Sequence, residues 1–169
     1  MDLKLFLAIN RLAGRSWFLD RCMILVSQKM RYIYFLILFF LWLKKGRERK
    51  MAIDAGISVL ICLVSNRLIK LLWFRPRPFL KRRIGILIPS LMDSSFPSKH
   101  TILAFAVSTI IFLHHRVLGI ILHGLSWLTG FSRIWIGHHY PFDIIGSAFL
   151  GTFTSVLLHQ RRELEGWEE

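Results

Sequence analysis

Three clusters of polar residues interrupt an otherwise apolar chain, and their residue types suit the chemistry of phosphate. Lysine and arginine bind phosphate oxygens, and arginine does so through a planar fork of donors. Histidine can attack phosphorus or carry the proton that the reaction moves. The clusters therefore predict a site that binds and hydrolyses a phosphate group. In chain order they are Lys70 with Arg77-Pro78, then Pro97-Ser98-Lys99-His100, and then Ser132-Arg133 with His139 and Asp143.

Two histidines, His100 and His139, can divide the work of a phosphatase. One attacks phosphorus and forms a phosphoenzyme, while the other protonates the leaving oxygen and then activates water. Asp143 lies four residues after His139 at the head of a predicted helix. This spacing lets its carboxylate accept a hydrogen bond from one ring nitrogen and leaves the other nitrogen as the nucleophile. The alternative for Asp143 is that acidic residues favour the first turn of a helix.

Three cations, Lys70, Arg77 and Arg133, are predicted to hold the phosphate. The sequence places few acidic residues near them, so we expect a bound phosphate to neutralise them. For Lys70 and Arg77 the alternative is that their side chains extend to the lipid headgroups.

The start of the predicted third span supplies further phosphate ligands. Pro97 is expected in the first helical turn, with Ser94 or Ser95 as its cap. Free backbone N–H groups would then point at the phosphate, and Ser98 would add a hydroxyl. Ordinary helix capping is the alternative reading of Ser98.

A catalytic metal is not expected, and no cofactor is predicted. The paired residues His114-His115 and His138-His139 are adjacent, so on a helix their side chains point in different directions. No cluster of cysteine or carboxylate residues completes a set of four ligands.

The composition of the chain indicates a membrane protein. The chain has 169 residues, of which 54% are hydrophobic, and its mean hydropathy is +0.49. A soluble domain of this size has too small an interior to hide so much apolar surface. The net charge of +13 fits anionic lipid or a phosphate-bearing substrate, whereas the hydropathy argues against nucleic acid as a partner.

The apolar runs predict an all-α, polytopic membrane helix bundle that forms a single domain over residues 1–169. Residues 1–20 are predicted to form an amphipathic helix, either in the headgroup plane or packed as a core helix, and 161–169 a polar tail. A spanning helix needs about 20 mostly apolar residues. Five candidate spans satisfy or approach this length, at about 23–43, 51–74, 98–115, 117–136 and 141–160.

The order of the spans brings the three clusters together. The end of the second span, the start of the third, the end of the fourth and the start of the fifth all reach one membrane face. The short loop at 44–50 carries five basic residues and predicts a cytoplasmic location for the opposite face. A raw count of basic residues under the positive-inside rule leaves the orientation ambiguous, because the 75–97 loop is also basic. The run Lys81-Arg82-Arg83 in that loop mildly favours a diphosphate substrate or simply binds anionic headgroups.

Together these residues resemble the type 2 phosphatidic acid phosphatase superfamily. Its signature is Lys, six residues, Arg-Pro; then Pro-Ser-Gly-His; then Ser-Arg, five residues, His, three residues, Asp. The chain matches every fixed position except the glycine, which is Lys99. If only the backbone of this residue touches phosphate, the side chain is free to vary and adds positive charge beside a doubly anionic headgroup.

The stretches Ser95–Thr101 and Thr129–Asp143 further resemble the bacitracin-resistance type of undecaprenyl-diphosphate phosphatase. The resemblance implies a polyprenyl diphosphate substrate, recycled as a peptidoglycan carrier on the outer face of the bacterial plasma membrane. It implies His139 as nucleophile, His100 as acid and base, and Asp143 as the residue that orients the ring. The implied phosphate ligands are Lys70, Arg77, Ser98 and Arg133.

Two other functions fit the same residues. A phosphatase of phosphatidate or phosphatidylglycerophosphate would use the same pocket, since each substrate presents a terminal phosphate on a lipid. A non-catalytic binder of lipid or phosphate would need the cations but not the histidines or Asp143. The sequence gives no oligomeric state.

Overall fold

The computed structural model describes residues 1–81, 86–89 and 92–166, and within these ranges its regular structure is helical. The prediction of an all-α bundle is confirmed. The basic residues Arg82 and Arg83 lie outside the described residues, as does the end of the polar tail. The helices are α1 (Asp2–Asn10), α2 (Trp17–Leu43), α3 (Arg47–Leu72), α4 (Pro78–Lys81), α5 (Lys99–His114), α6 (Arg116–Trp135) and α7 (Pro141–Leu164).

Four of these helices, α2, α3, α6 and α7, are long and apolar enough to cross a membrane. The third predicted span, at 98–115, is observed as α5, which has 16 residues and is therefore only about 24 Å long at 1.5 Å per residue. It packs against α2, α3, α6 and α7, and most of its side chains are buried. Helix α5 therefore lies at the centre of the bundle. Because other helices surround it, it does not need to match the hydrocarbon thickness by itself.

The prediction of one helix over residues 1–20 is wrong in its bounds. Helix α1 ends at Asn10, and a turn follows in which Gly14 has φ of +83°, a conformation that glycine adopts without strain. Ser16 then caps α2. Phe6 is fully buried against Tyr140 and other residues at the start of α7, so α1 packs onto the bundle.

Neutral hydroxyl groups join the helices in the middle of the bundle. The Tyr34 hydroxyl on α2 lies 2.7 Å from Ser126 Oγ on α6, and Ser126 lies 3.1 Å from Ser108 Oγ on α5. Ser58 and Ser155 join α3 to α7 in the same way, at 2.7 Å. We call these five residues the hydroxyl cluster.

Helices α5 and α7 approach each other closely at Gly151. A Cβ atom at this position would lie 2.5 Å from the carbonyl oxygen of Ile102, so a larger residue would force the helices apart. Small residues allow this kind of close packing between membrane helices. The contact fixes the start of α7 beside the start of α5, where two of the three polar clusters lie.

Candidate active site

The three polar clusters meet in one cavity of about 560 Å³, as the order of the spans predicts. The cavity lies where α3 ends, α5 begins and α6 meets α7. Ser98 and Asp143 are fully buried and are not among the residues that line it. Six predicted site residues do line it, namely Lys70, Arg77, Lys99, His100, Arg133 and His139.

His139, in the turn between α6 and α7, is held in one orientation by a backbone carbonyl. Its Nδ1 lies 2.7 Å from the carbonyl oxygen of Ser95. A carbonyl only accepts hydrogen bonds, so Nδ1 carries the proton and the lone pair is on Nε2. Burial, reinforced by the charges of Arg133 and Arg77, holds the pKa of His139 well below its usual value. The ring is therefore neutral, as a nucleophile requires.

The hydrogen bond predicted between Asp143 and His139 is not present. Asp143 Oδ2 lies 3.9 Å from His139 Nδ1, beyond hydrogen-bond distance. Instead Oδ2 accepts hydrogen bonds from the Ser95 hydroxyl and, at 2.9 Å, from the backbone N–H of Tyr140. Asp143 thus caps the first turn of α7, and its side-chain contact toward the His139 ring runs through Ser95.

His100 is in the first turn of α5 and lines the same cavity as His139. Its neighbour Lys99 is exposed and lines the cavity as well. The two histidines that the sequence predicts as catalytic therefore line one cavity.

Arg133, near the end of α6, is buried and lines the cavity. Its Nη1 donates a hydrogen bond of 2.7 Å to Ser27 Oγ on α2. Its Nε is buried and has no hydrogen-bond partner among the residues that the structure describes. An unpartnered donor on a buried guanidinium is costly, so Arg133 keeps its charge at the wall of the cavity without full compensation.

Lys70 and Arg77 share an acidic partner that the sequence analysis missed. Lys70 Nζ lies 2.7 Å from one oxygen of Asp93, and Arg77 Nε donates to the other at 2.9 Å. Burial alone would raise the pKa of Asp93, but its bonds to these two cations hold the pKa below its usual value. The sequence analysis expected few acidic residues near the cations, and Asp93 is one that already pairs with both Lys70 and Arg77.

Ser98 is the N-cap residue of α5, so the predicted position of Pro97 inside the first turn is also wrong. The Ser98 N–H donates to Ser147 Oγ at 2.7 Å, and its hydroxyl accepts from Thr101 at 3.0 Å. In this arrangement Ser98 joins α5 to α7 rather than facing the cavity.

A second cavity of about 300 Å³ adjoins the first. It shares Arg31, Lys99 and His100 with the first cavity, and aliphatic side chains of α2 and α5, such as Leu38 and Leu103, form much of its wall. A cationic cavity that continues into an apolar one matches a ligand with a phosphate head and a hydrocarbon tail. Among the described residues, no group of three or more His, Cys, Asp or Glu side chains is placed to hold a metal ion.

Comparison with known proteins adds three findings. Residues 51–167 match the PAP2 superfamily. The chain is 39% identical to undecaprenyl-diphosphatase BcrC of Bacillus subtilis, over 97% of this chain and 86% of that protein. It is 31% identical to the bacitracin transport permease protein BcrC of Bacillus licheniformis, over 94% of this chain and 79% of that one.

A solved structure is similar as well. The crystal structure of LpxE from Aquifex aeolicus superposes with a TM-score of 0.78 at 27% identity, covering 94% of each chain.

Proposed function

Because the chain belongs to the PAP2 superfamily, we propose that this membrane lipid phosphatase converts undecaprenyl diphosphate to undecaprenyl phosphate and inorganic phosphate. The family resemblance predicted from the three motifs is confirmed, and so is a multi-pass membrane protein. The named activity of the Bacillus subtilis relative supports the choice of substrate. The observation that carries the proposal is the orientation of His139, whose Nδ1 is held by the Ser95 carbonyl so that Nε2 bears the lone pair, in a cavity lined by cations.

The first chemical step is attack by His139 on the terminal phosphorus. The Nε2 lone pair forms an N–P bond while the bond from phosphorus to the bridging oxygen breaks. The departing lipid phosphate keeps that electron pair, and His100, which must be protonated in the complex with the anionic substrate, supplies its proton. The Ser95 carbonyl, which accepts the Nδ1 proton, stabilises the positive charge that develops on the ring.

The second step returns the enzyme to its starting state. A water molecule gives its proton to His100 and forms an O–P bond as the N–P bond breaks. Inorganic phosphate leaves, His139 is again neutral, and His100 is again protonated. The net reaction consumes one water for each diphosphate.

Phosphate binding requires a change at Asp93. The terminal phosphate competes with this carboxylate for Lys70 and Arg77, and it also lies beside the charge of Arg133, which lines the same cavity. Phosphate carries more charge and more acceptor oxygens than a carboxylate, so it can engage all three cations at once. Lys99 and Arg31, at the junction of the two cavities, are placed for the second phosphate, and the apolar cavity for the first units of the prenyl chain.

The basic segment 44–50, predicted as a loop, is a turn over residues 44–46 followed by the first turn of α3, and it lies at the other end of the bundle from the cavity. Under the positive-inside rule this end faces the cytoplasm, so the proposed active site faces outward from the plasma membrane. Hydrolysis there would return the lipid carrier for peptidoglycan synthesis.

The proposal is tested by phosphate release from purified protein in detergent with EDTA. Undecaprenyl diphosphate, phosphatidate and phosphatidylglycerophosphate are assayed in parallel, with His139→Ala as the blank. We expect a preference of at least about tenfold in kcat/KM for the diphosphate, because two phosphates engage both sets of cations.

Each other outcome has a defined meaning. Preference for a glycerolipid would contradict the proposed substrate while keeping the histidine mechanism. Activity that disappears in EDTA and returns only with added metal would contradict that mechanism. Binding without turnover of any lipid would identify a non-catalytic binder.

A further inference from the structure

Arg75 lies in the spacer between Lys70 and Arg77, and the three motifs assign it no role. Its guanidinium joins two helices that are far apart in the sequence. Nη1 donates to Asp143 Oδ1 at the start of α7, and Nη2 donates to Asp2 Oδ2 at the start of α1. The same group lies over the ring of Tyr140, 4.7 Å from its centre.

From Asp143 the contacts continue to the proposed nucleophile. The second oxygen of Asp143 accepts from the Ser95 hydroxyl, and the Ser95 carbonyl holds Nδ1 of His139 at 2.7 Å. The Ser95 backbone N–H donates to the carbonyl of Arg75 at 2.7 Å. Ser95 is therefore fixed by both the backbone and, through Asp143, the side chain of Arg75.

Burial makes Arg75 necessary to this arrangement. Asp143 has no exposed surface, and a buried carboxylate is costly unless a cation and hydrogen bonds compensate it. Arg75 is the cation that contacts it.

Asp2 accepts a hydrogen bond from the second terminal nitrogen of Arg75, Nη2. Its Oδ1 also accepts from the backbone N–H of Phe142 at 3.0 Å, which ties α1 to the first turn of α7.

We infer that Arg75 is a positioning residue of the active site, anchored by Asp2, which sets the orientation of His139 through Asp143 and Ser95. Arg75 and Asp2 are not among the residues that line the cavity, so they act on the ring and not on the substrate. The inference rests on the proposed function, because it assumes that His139 is the nucleophile.

This placement predicts a specific kinetic result. A misoriented nucleophile slows the chemical step but leaves substrate binding intact, and small displacements cost up to about 100-fold. We expect Arg75→Met to lower kcat by about 10- to 100-fold with KM within about twofold of wild type. Arg75→Lys keeps the charge beside Asp143 but cannot also reach Asp2, so it should recover part of this loss.

The experiment measures kcat and KM for these two variants, for Asp2→Asn and for the control Arg11→Met, on monodisperse protein in detergent. Arg11 is an exposed arginine just after α1, and its substitution should leave both constants unchanged. Asp2→Asn keeps an acceptor for the Phe142 N–H and removes only the charge that anchors Arg75. We expect it to lower kcat by about two- to fivefold at unchanged KM.

The inference is overturned if Arg75→Met turns over at the wild-type rate, or if its loss appears in KM. Should that variant fail to fold, Asp2→Asn decides the matter, and a kcat equal to that of Arg11→Met overturns the inference. His139→Ala separates this result from the proposed function. An active His139→Ala would contradict the proposed function itself, whereas an inactive one beside a fully active Arg75→Met contradicts only the role of Arg75.

Discussion

The hydroxyl cluster and the cavity end of the bundle both bury polar groups, but they do so in opposite ways. In the hydroxyl cluster the groups are neutral and bond to one another or to helix carbonyls. Ser126 Oγ, for example, contacts Tyr34 and Ser108 and also donates to the carbonyl of Leu122 at 2.8 Å. At the cavity the groups are charged, and Arg133 Nε has no hydrogen-bond partner in the part of the chain that the structure describes.

This difference separates polar burial that joins helices from polar burial that serves a ligand. Hydrogen bonds between membrane helices contribute about 0.6 kcal/mol each on average, so the hydroxyl cluster stabilises the bundle by modest increments. The buried Arg133 guanidinium keeps one donor without a partner among the described residues, which costs stability rather than adding to it. Substitutions in the two regions should therefore affect different quantities, namely stability in one and turnover in the other.

The largest effect is expected at His139. His139→Ala removes the proposed nucleophile and should lower kcat by about 10³-fold or more, with little loss of fold. His115→Ala, at the opposite end of the bundle, is the matched control and should stay within about twofold of wild type. If His139→Ala turned over at a tenth or more of the wild-type rate, His139 would not be the nucleophile, and the claim that the cavity residues control turnover would be contradicted.

Arg133→Lys should have the next largest effect. Lysine keeps the charge but loses the planar guanidinium, which bonds Ser27 through Nη1 and lines the cavity. We expect kcat/KM to fall by about 10- to 100-fold in the phosphate-release assay. Arg116→Lys, at the exposed start of α6, should have no effect, and equal results for the two variants would contradict the proposed role of Arg133.

Lys99→Gly tests the one departure from the superfamily signature. Lys99 is exposed, so water screens its charge and its contribution should be small. We expect kcat/KM to fall by about three- to fivefold for undecaprenyl diphosphate and less for phosphatidate, with Lys99→Arg unchanged. An equal loss on both lipids would show that Lys99 does not recognise the second phosphate.

Ser126→Ala should change stability alone. It removes the central member of the Tyr34–Ser126–Ser108 contacts and should lower the free energy of unfolding by about 1 kcal/mol. The measurement is the thermal unfolding midpoint in detergent, with kcat measured alongside. A tenfold loss of kcat at an unchanged midpoint would contradict the claim that the hydroxyl cluster affects stability and not turnover.

The bundle and the convergence of the clusters are predictable from the sequence because both follow from local patterns. The span predicted at 98–115 is observed as Lys99–His114, and that at 117–136 as Arg116–Trp135. Charged or polar residues flank these runs and mark their ends. The N-terminal prediction fails because the turn at Gly14 divides residues that share one amphipathic composition.

The network around the site is less predictable because its contacts join distant parts of the chain. The four-residue spacing brings Asp143 to 3.9 Å from His139, but Ser95, 48 residues away, provides the nearer partner. Asp93 and Arg75 also pair across long separations, with Lys70 and with Asp2. A single sequence offers no periodic signal for such pairs, although an acid just before the second cluster was a visible candidate.

The most direct test of the account is to trap the phosphoenzyme. Undecaprenyl diphosphate labelled in its terminal phosphate is mixed with wild type, His100→Gln and His139→Ala, and each reaction is quenched with alkali within milliseconds. The account predicts an alkali-stable, acid-labile label on His139 in the wild type that is absent from His139→Ala. In His100→Gln the label should form more slowly, because the leaving oxygen lacks its proton donor, and should persist longer, because water is not activated. A label on another residue, or undiminished labelling of His139→Ala, would contradict the histidine mechanism.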